Sequence, residues 1–221
     1  MVLRNSECWY KDVCTYEPCN KLCIRFVEMR YLMENSGLSK KRQKPIRLND
    51  TYDQKAFKLL NDIRLDIVNF VENGESLYIY GKNTGNGKTS WSIKLLLRYF
   101  DQIWSGNGFR QRGYFMSVPV FLNQIKNFSD ESTRQKLIKT LSTVDLVVWD
   151  DIASTKLSDY DAQQLLIIID QRIADGLANI YNGNLTSHAD LANALGDRLA
   201  SRIWNTSTLV EFKGKDRRDE W

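Results

Sequence analysis

Residues Gly81-Lys82-Asn83-Thr84-Gly85-Asn86-Gly87-Lys88-Thr89-Ser90 set three glycines, a lysine and a Thr-Ser pair between an apolar run, Ser76 to Tyr80, and a helical pattern. Backbone N–H groups at a helix start bind phosphate oxygens, a lysine there reaches the terminal phosphates, and the adjoining hydroxyl ligates Mg²⁺. This is the P-loop arrangement. Its strict form has four residues between the first glycine and Gly-Lys-Thr, whereas here five stand there, Lys82 to Asn86, so the loop is one residue longer. Gly85-Asn86-Gly87-Lys88-Thr89 keeps the half that touches phosphate, with Thr84 and Ser90 flanking it, and the additional residue is expected to bulge where the loop begins.

A second feature completes that chemistry. Val144-Asp145-Leu146-Val147-Val148-Trp149 is an apolar strand pattern ending in Asp150-Asp151, and the C-terminal ends of parallel strands are where such sheets present ligands. Asp150, together with Thr89, is expected to hold Mg²⁺, and Asp151 to polarise the attacking water. Many ATPases place Glu at the second position. Aspartate is one methylene shorter, which predicts hydrolysis that is slow or waits for assembly. Farther on, Asn184 in Tyr181-Asn182-Gly183-Asn184-Leu185-Thr186 could face a terminal phosphate, with Asn182 as its competitor and a plain Asn-Gly turn as the alternative. Leu191, Leu195, Leu199 and Ile203 recur every four residues as a buried stripe, and Arg198 and Arg202 share the neighbouring stripe one turn apart. Phe212-Lys213-Gly214-Lys215-Asp216-Arg217-Arg218 is a basic turn that closes over the nucleotide or frays.

These groups need a frame that brings strand ends together. Candidate strands are 76–80, 114–118, 144–149, 179–183 and 208–212, and helical spacing marks 91–100, 120–128, 161–174 and 191–204. Short apolar strands alternating with helices predict an α/β fold with a mostly parallel sheet covered on both faces. An amphipathic helix with Phe57, Leu60, Ile63, Ile67 and Phe70 precedes the first strand and ends at Asn73-Gly74.

The chain of 221 residues carries 31 basic and 27 acidic side chains, and of these 10 and 6 lie in residues 1–50, leaving a balanced remainder. All four cysteines lie in the same segment. Charged residues Arg4, Glu7, Lys11 and Asp12 interrupt any signal-peptide core, and no run of about 18 apolar residues exists to span a bilayer, so a cytoplasmic protein with no membrane partner is expected. Cys8, Cys14, Cys19 and Cys23, with five, four and three residues between them, then suit a tetrahedral Zn²⁺ site, with unligated thiols or an iron–sulfur cluster as alternatives. The expected division is a cysteine-bearing region at 1–34 with a short helix over 24–34, a basic connector at 35–50 carrying Lys40, Lys41, Arg42, Lys44 and Arg47, and the nucleotide-binding unit at 51–221.

The order LYIYGKNTGNGKT, YFMSVPVFLNQIKN, VDLVVWDDI, IIIDQRIADG, NGNLT, LGDRLASRIW and VEFKGKDRR resembles the AAA+ ATPase domain of bacterial and phage helicase loaders of the DnaC and DnaI type, over about residues 50–221. The NGNLT and LGDRLASR pair is the specific part. The resemblance implies five parallel strands in the order 5-1-4-3-2, Asn184 as first sensor, Arg202 as an arginine finger acting on a neighbouring subunit, Arg198 as its companion and Arg218 as second sensor. It also implies ATP as cofactor, an ATP-dependent homo-oligomer, a hexameric replicative DNA helicase as partner through the amino terminus, and loading of that helicase on single-stranded DNA. The segment 117–128 with Lys126, and Arg110 and Arg112 before it, matches the DNA-facing region. Gly183 stands where Ser is common. Rival readings are an IstB-like transposition ATPase, a nonhydrolysing adaptor or inhibitor, and a small-molecule kinase. The kinase has no need of Asn184, Arg198 or Arg202.

Overall fold

The computed structural model describes residues 5–12, 14–15, 19–43, 52–127, 130–154 and 156–216. Strands β1 (Ser76–Tyr80), β2 (Gly113–Ser117), β3 (Leu146–Asp150), β4 (Ala178–Gly183) and β5 (Ser207–Glu211) form one sheet in the order β2-β3-β4-β1-β5. Every neighbouring pair is parallel, which bears out the implied order. The register sets Tyr80 opposite Gly183 and Ser117 opposite Asp150, so the C-terminal strand ends share one edge.

Strand residues alternate between two cores. Leu77, Ile79, Leu146, Val148 and Ile180 face one layer, and Tyr78, Val147, Trp149 and Tyr181 the other. The first layer is closed by α1 (Ile24–Glu34), α2 (Gln54–Leu65), α3 (Ile67–Glu72) and α4 (Lys88–Ile103). The second is closed by α5 (Val118–Asn127), α6 (Glu131–Thr143), α7 (Asp159–Ala174), α8 (His188–Leu195) and α9 (Asp197–Thr206).

Three departures from the expected elements have local causes. The helix over Phe57–Phe70 is two, separated at Asp66. The helix over Leu191–Trp204 is also two, broken at Gly196 in a left-handed conformation (φ 83°), yet Leu191, Leu195, Leu199 and Ile203 all stay buried. Helix α6 has only a short apolar face, Leu137, Ile138 and Leu141, of which Leu141 alone is fully buried, and its N-terminus is capped by Asp130, which accepts hydrogen bonds from the N–H groups of Ser132 and Thr133.

The charge boundary near residue 50 is not a packing boundary among the described residues. Met29, Leu32, Met33 and Leu38 lie in the same core as Leu95, Leu96 and Phe100 of α4. Asp101 of α4 accepts from the Tyr10 hydroxyl (2.6 Å), Arg25 (2.9 Å) and Arg98 (2.7 Å), and the Arg25 guanidinium lies 3.3 Å from the centre of the Tyr10 ring. Part of the expected connector lies along the outer edge of β2, where the Phe115 N–H donates to the Ser36 carbonyl (2.7 Å). Gly37 makes that approach possible, because a Cβ there would stand 2.4 Å from the Phe115 carbonyl oxygen. Lys44, Pro45 and Arg47 lie outside the described residues.

On the other face, Arg172 of α7 is fully buried and donates to the carbonyls of Leu141, Val144 and Ala178 and to the Asn179 side chain, joining the end of α6 to β4. Burial lowers its guanidinium to about 10. Replacement by Met leaves several buried acceptors unpaired, so Arg172→Met is expected to lose about 3 kcal/mol of stability in urea unfolding.

Candidate functional site

The loop after β1 owes its shape to Gly85 (φ 66°) and Gly87 (φ 102°), both in the region that side chains avoid. It folds around Lys88, which is 8% exposed and donates through Nζ to the carbonyls of Gly81 (3.0 Å) and Asn83 (2.7 Å) and to Asn86 Oδ1 (3.0 Å). The Nδ2 of Asn86 is buried with no hydrogen-bond partner, a donor inside the loop awaiting an acceptor.

The lengthened loop is more than a bulge. The Asn83 amide donates to the carbonyls of Gly214 (2.9 Å) and Lys213 (3.4 Å), while the Asp53 carboxylate before α2 accepts from the N–H groups of Lys213 and Gly214. Thr84 donates to Asp216 (3.3 Å), whose carboxylate lies where a Cβ on Gly85 would be. Residues 212–216 are thus clasped onto the loop. Arg217 and Arg218 lie outside the described residues. Beside the clasp a groove of about 620 Å³ opens between the start of α2 and β5, lined by Tyr52, Asp53, Leu59, Leu209, Glu211 and Lys213.

Asp150, at the end of β3 and 3% exposed, accepts from the Thr89 hydroxyl (2.8 Å) and from Asn182 Nδ2 (2.8 Å) on one oxygen. Ser92 of α4 donates to Asn182 Oδ1 (2.6 Å) and so fixes the amide. Burial pushes the Asp150 carboxyl up from its ordinary value, opposed by hydrogen bonds from Asn182 and Thr89, raised further by Asp151 and lowered by the charge of Arg42. Asp151 is exposed and holds φ 57°, a conformation that positions a side chain only where the surroundings impose it. The Ile152 N–H imposes it here by donating to the Asn182 carbonyl (2.9 Å).

Of the two asparagines, Asn182 is the one at Asp150, and Asn184 stands half-buried beyond the end of β4. Gly183 has a steric reason, since a Cβ would lie 2.5 Å from the Tyr78 hydroxyl, which itself donates to the Leu185 carbonyl.

Arg202 pairs with Asp170 of α7 (2.5 Å) within its own chain, and Arg198 is exposed one turn before it. Lys126 pairs with the buried Asp161 (2.7 Å), and Arg112 pairs with Asp145, which also receives the Tyr99 hydroxyl. Those two are held by structural carboxylates, while Arg110 is exposed. Cys8, Cys14, Cys19 and Cys23 are half-buried and in no disulfide, and among the described residues no group of three or more His, Cys, Asp or Glu side chains is arranged to hold a metal ion. Burial pushes the Cys8 thiol up, partly opposed by a hydrogen bond from the Tyr10 backbone, and the nearby Cys19, Cys23 and Cys14 raise it further.

The donors gathered at the loop fit a nucleotide phosphate, and Thr89 with Asp150 fits Mg²⁺. The chain is similar in structure to the DnaC helicase loader (TM-score 0.65, 24% identity, 79% of this chain and 100% of that one) and to DnaI (TM-score 0.64, 18% identity, 82% and 94%). It is also similar to AMPPCP-bound DnaA from Aquifex aeolicus (TM-score 0.61, 17% identity, 82% of this chain and 53% of that one). No protein-family model and no curated protein matches the sequence. The fold is therefore similar to that of DnaC and DnaI, the proteins whose ATPase domain the sequence motifs resemble. Among the described residues no helix is long and apolar enough to cross a membrane.

The raised Asp150 carboxyl gives a signed expectation. Its charge is disfavoured in the folded chain, so stability is full below the ordinary carboxylate value and falls as pH rises through the raised one. Asp150→Asn keeps acceptors for Thr89 and Asn182 without the charge. It is expected to match the parent's melting temperature at low pH, exceed it at pH 7, and lose Mg²⁺-dependent nucleotide binding in calorimetry.

Proposed function

We propose that this chain is an ATP-dependent helicase loader that binds a replicative DNA helicase and helps place it on single-stranded DNA at the start of replication. The observation that supports it most is the Lys88–Thr89–Asp150–Asn182 constellation, carried on a fold similar to those of DnaC and DnaI. The backbone N–H groups from Gly85 to Thr89 and the Lys88 ammonium would hold the phosphates, and Thr89 and Asp150 would hold Mg²⁺. Bound Mg²⁺ supplies charge neutralisation at the phosphate oxygens. Asn182 keeps the Asp150 oxygen turned toward Thr89, and Asp151, exposed beside it, accepts the proton of the attacking water. The groove at Tyr52, Leu59 and Leu209 offers an apolar wall for the base. Arg202 and Arg198 act across a subunit boundary once assembly draws Arg202 from Asp170, with Asn184 and Arg218 as sensors.

The helicase contact is assigned to the amino-terminal surface, where Leu22 is 87% and Ile24 is 59% exposed just before and at the start of α1. In pull-downs with hexameric replicative helicases, the parent is expected to retain a helicase with ATP present, and Leu22→Asp with Ile24→Asp to lose it while still binding ATP. Helicase retention by that double variant would sink the assignment. Lys88→Ala is expected to weaken ATP binding at least tenfold. Arg202→Ala should leave binding near normal and remove assembly-dependent turnover, read by phosphate release. The exposed, left-handed Asp151 favours a second reading, a nucleotide-gated adaptor, which predicts binding with no turnover in the assembled parent.

A further inference from the structure

The basic stretch Lys40-Lys41-Arg42 is not a free tether. Residues 36–43 lie along the outer edge of β2 and are held in a fixed turn there. The Phe115 N–H donates to the Ser36 carbonyl, Leu38 is buried, and the Arg42 and Gln43 N–H groups close a turn on the Ser39 carbonyl (2.9 and 3.2 Å). The Gln43 amide donates back to the carbonyls of Leu38 (2.9 Å) and Met33 (3.3 Å). This fixed turn places the Arg42 guanidinium 4.9 Å from the centre of the Phe115 ring.

That ring lies close to the site. Phe115 is opposite Val148, and Ser117, two residues on, is opposite Asp150. With about 3.3 Å per residue and about 4.8 Å between strands, the Phe115 backbone that carries this ring lies about 8 Å from that of Asp150. Phe115 faces the core layer of α4, the side from which Thr89 reaches Asp150, and the Arg42 charge slightly lowers the Asp150 carboxyl. The site also has a direction. The clasp of Asp53, Asn83 and residues 213–216 lies on the β5 side of the loop, and Thr89, Asp150 and Arg42 lie on the β3 side. A triphosphate lying along the loop with its base toward the clasp ends on the Arg42 side.

We infer that Arg42 is a cationic member of the nucleotide site, supplied in cis by the amino-terminal segment, and that it recognises the terminal phosphate of a nucleoside triphosphate. The inference rests on the nucleotide-binding part of the proposed function. A planar guanidinium suits the role, because it stacks on an aromatic face while presenting forked donors to phosphate oxygens. It also makes the amino-terminal segment a reader of the third phosphate.

The test compares fluorescent ATP and ADP analogues binding to the full chain in Mg²⁺ buffer. Arg42→Met keeps bulk over Phe115 and removes the charge. It is expected to weaken ATP-analogue binding about tenfold and ADP-analogue binding by no more than about twofold, with Arg42→Lys recovering part of the loss and the melting temperature without nucleotide unchanged. An equal loss for both analogues, or no loss, while the parent binds normally, overturns the role of Arg42. A fallen melting temperature with equal losses assigns it packing only. A parent that binds neither analogue overturns the nucleotide reading itself.

Discussion

One buried carboxylate organises this molecule. Asp150 ends a strand whose every residue is buried, where water cannot solvate its charge, so donors must come from the protein. They come from Thr89 at the start of α4 and from Asn182 near the end of β4, and Ser92 turns the Asn182 amide the right way. Three elements distant in sequence are thereby locked in register at one sheet edge. The phosphate-binding loop hangs between β1 and α4, and its position relative to the sheet follows from those bonds. The arrangement does not favour the ionised form, and that is its use, because a carboxylate short of solvation gains most from a divalent cation.

The amino-terminal segment is part of the same construction. An outer strand such as β2 exposes unpaired backbone groups, and residues 35–43 cover them. The Gln111 amide donates to the Asn35 carbonyl, Ser36 accepts from Phe115, and Arg42 lies over the Phe115 ring. The basic surplus of the first fifty residues is therefore set partly against the flank of the nucleotide site. A single balance of charge along the chain suggested two units, but the apolar residues of α1 belong to the core of the second.

What the sequence made legible follows from how each feature is encoded. Strands β1 and β3 are short, largely apolar runs, and α1 matches its expected limits, so these were readable from the local pattern. Lys88, Thr89 and Asp150 were readable because phosphate and Mg²⁺ chemistry fixes their types and order. The choice between Asn182 and Asn184 was not, since it depends on which residue faces Ser92 across the β4–α4 contact. Nor was the clasp of Asn83 and Asp53 on residues 213–214, because long-range backbone pairing leaves no local pattern. Arg112 and Lys126 looked like DNA contacts for the same reason, their partners Asp145 and Asp161 lying 33 and 35 residues away. The cysteine spacing suggested a metal, and among the described residues no group of three or more such side chains is gathered for one.

Helix α4 has a mechanical consequence. Lys88 is its first residue, and Asp101, with Tyr10 and Arg25 fastened to it, stands near its last. At about 1.5 Å per residue the two ends are about 20 Å apart along an unbroken rod. Neither glycine nor proline interrupts the helix. The rod therefore has phosphate chemistry at one bearing and an aromatic–arginine coupling at the other, and it contains no joint to absorb a load. A torque applied to the surface around Tyr10 and Arg25 arrives at the phosphate loop undamped.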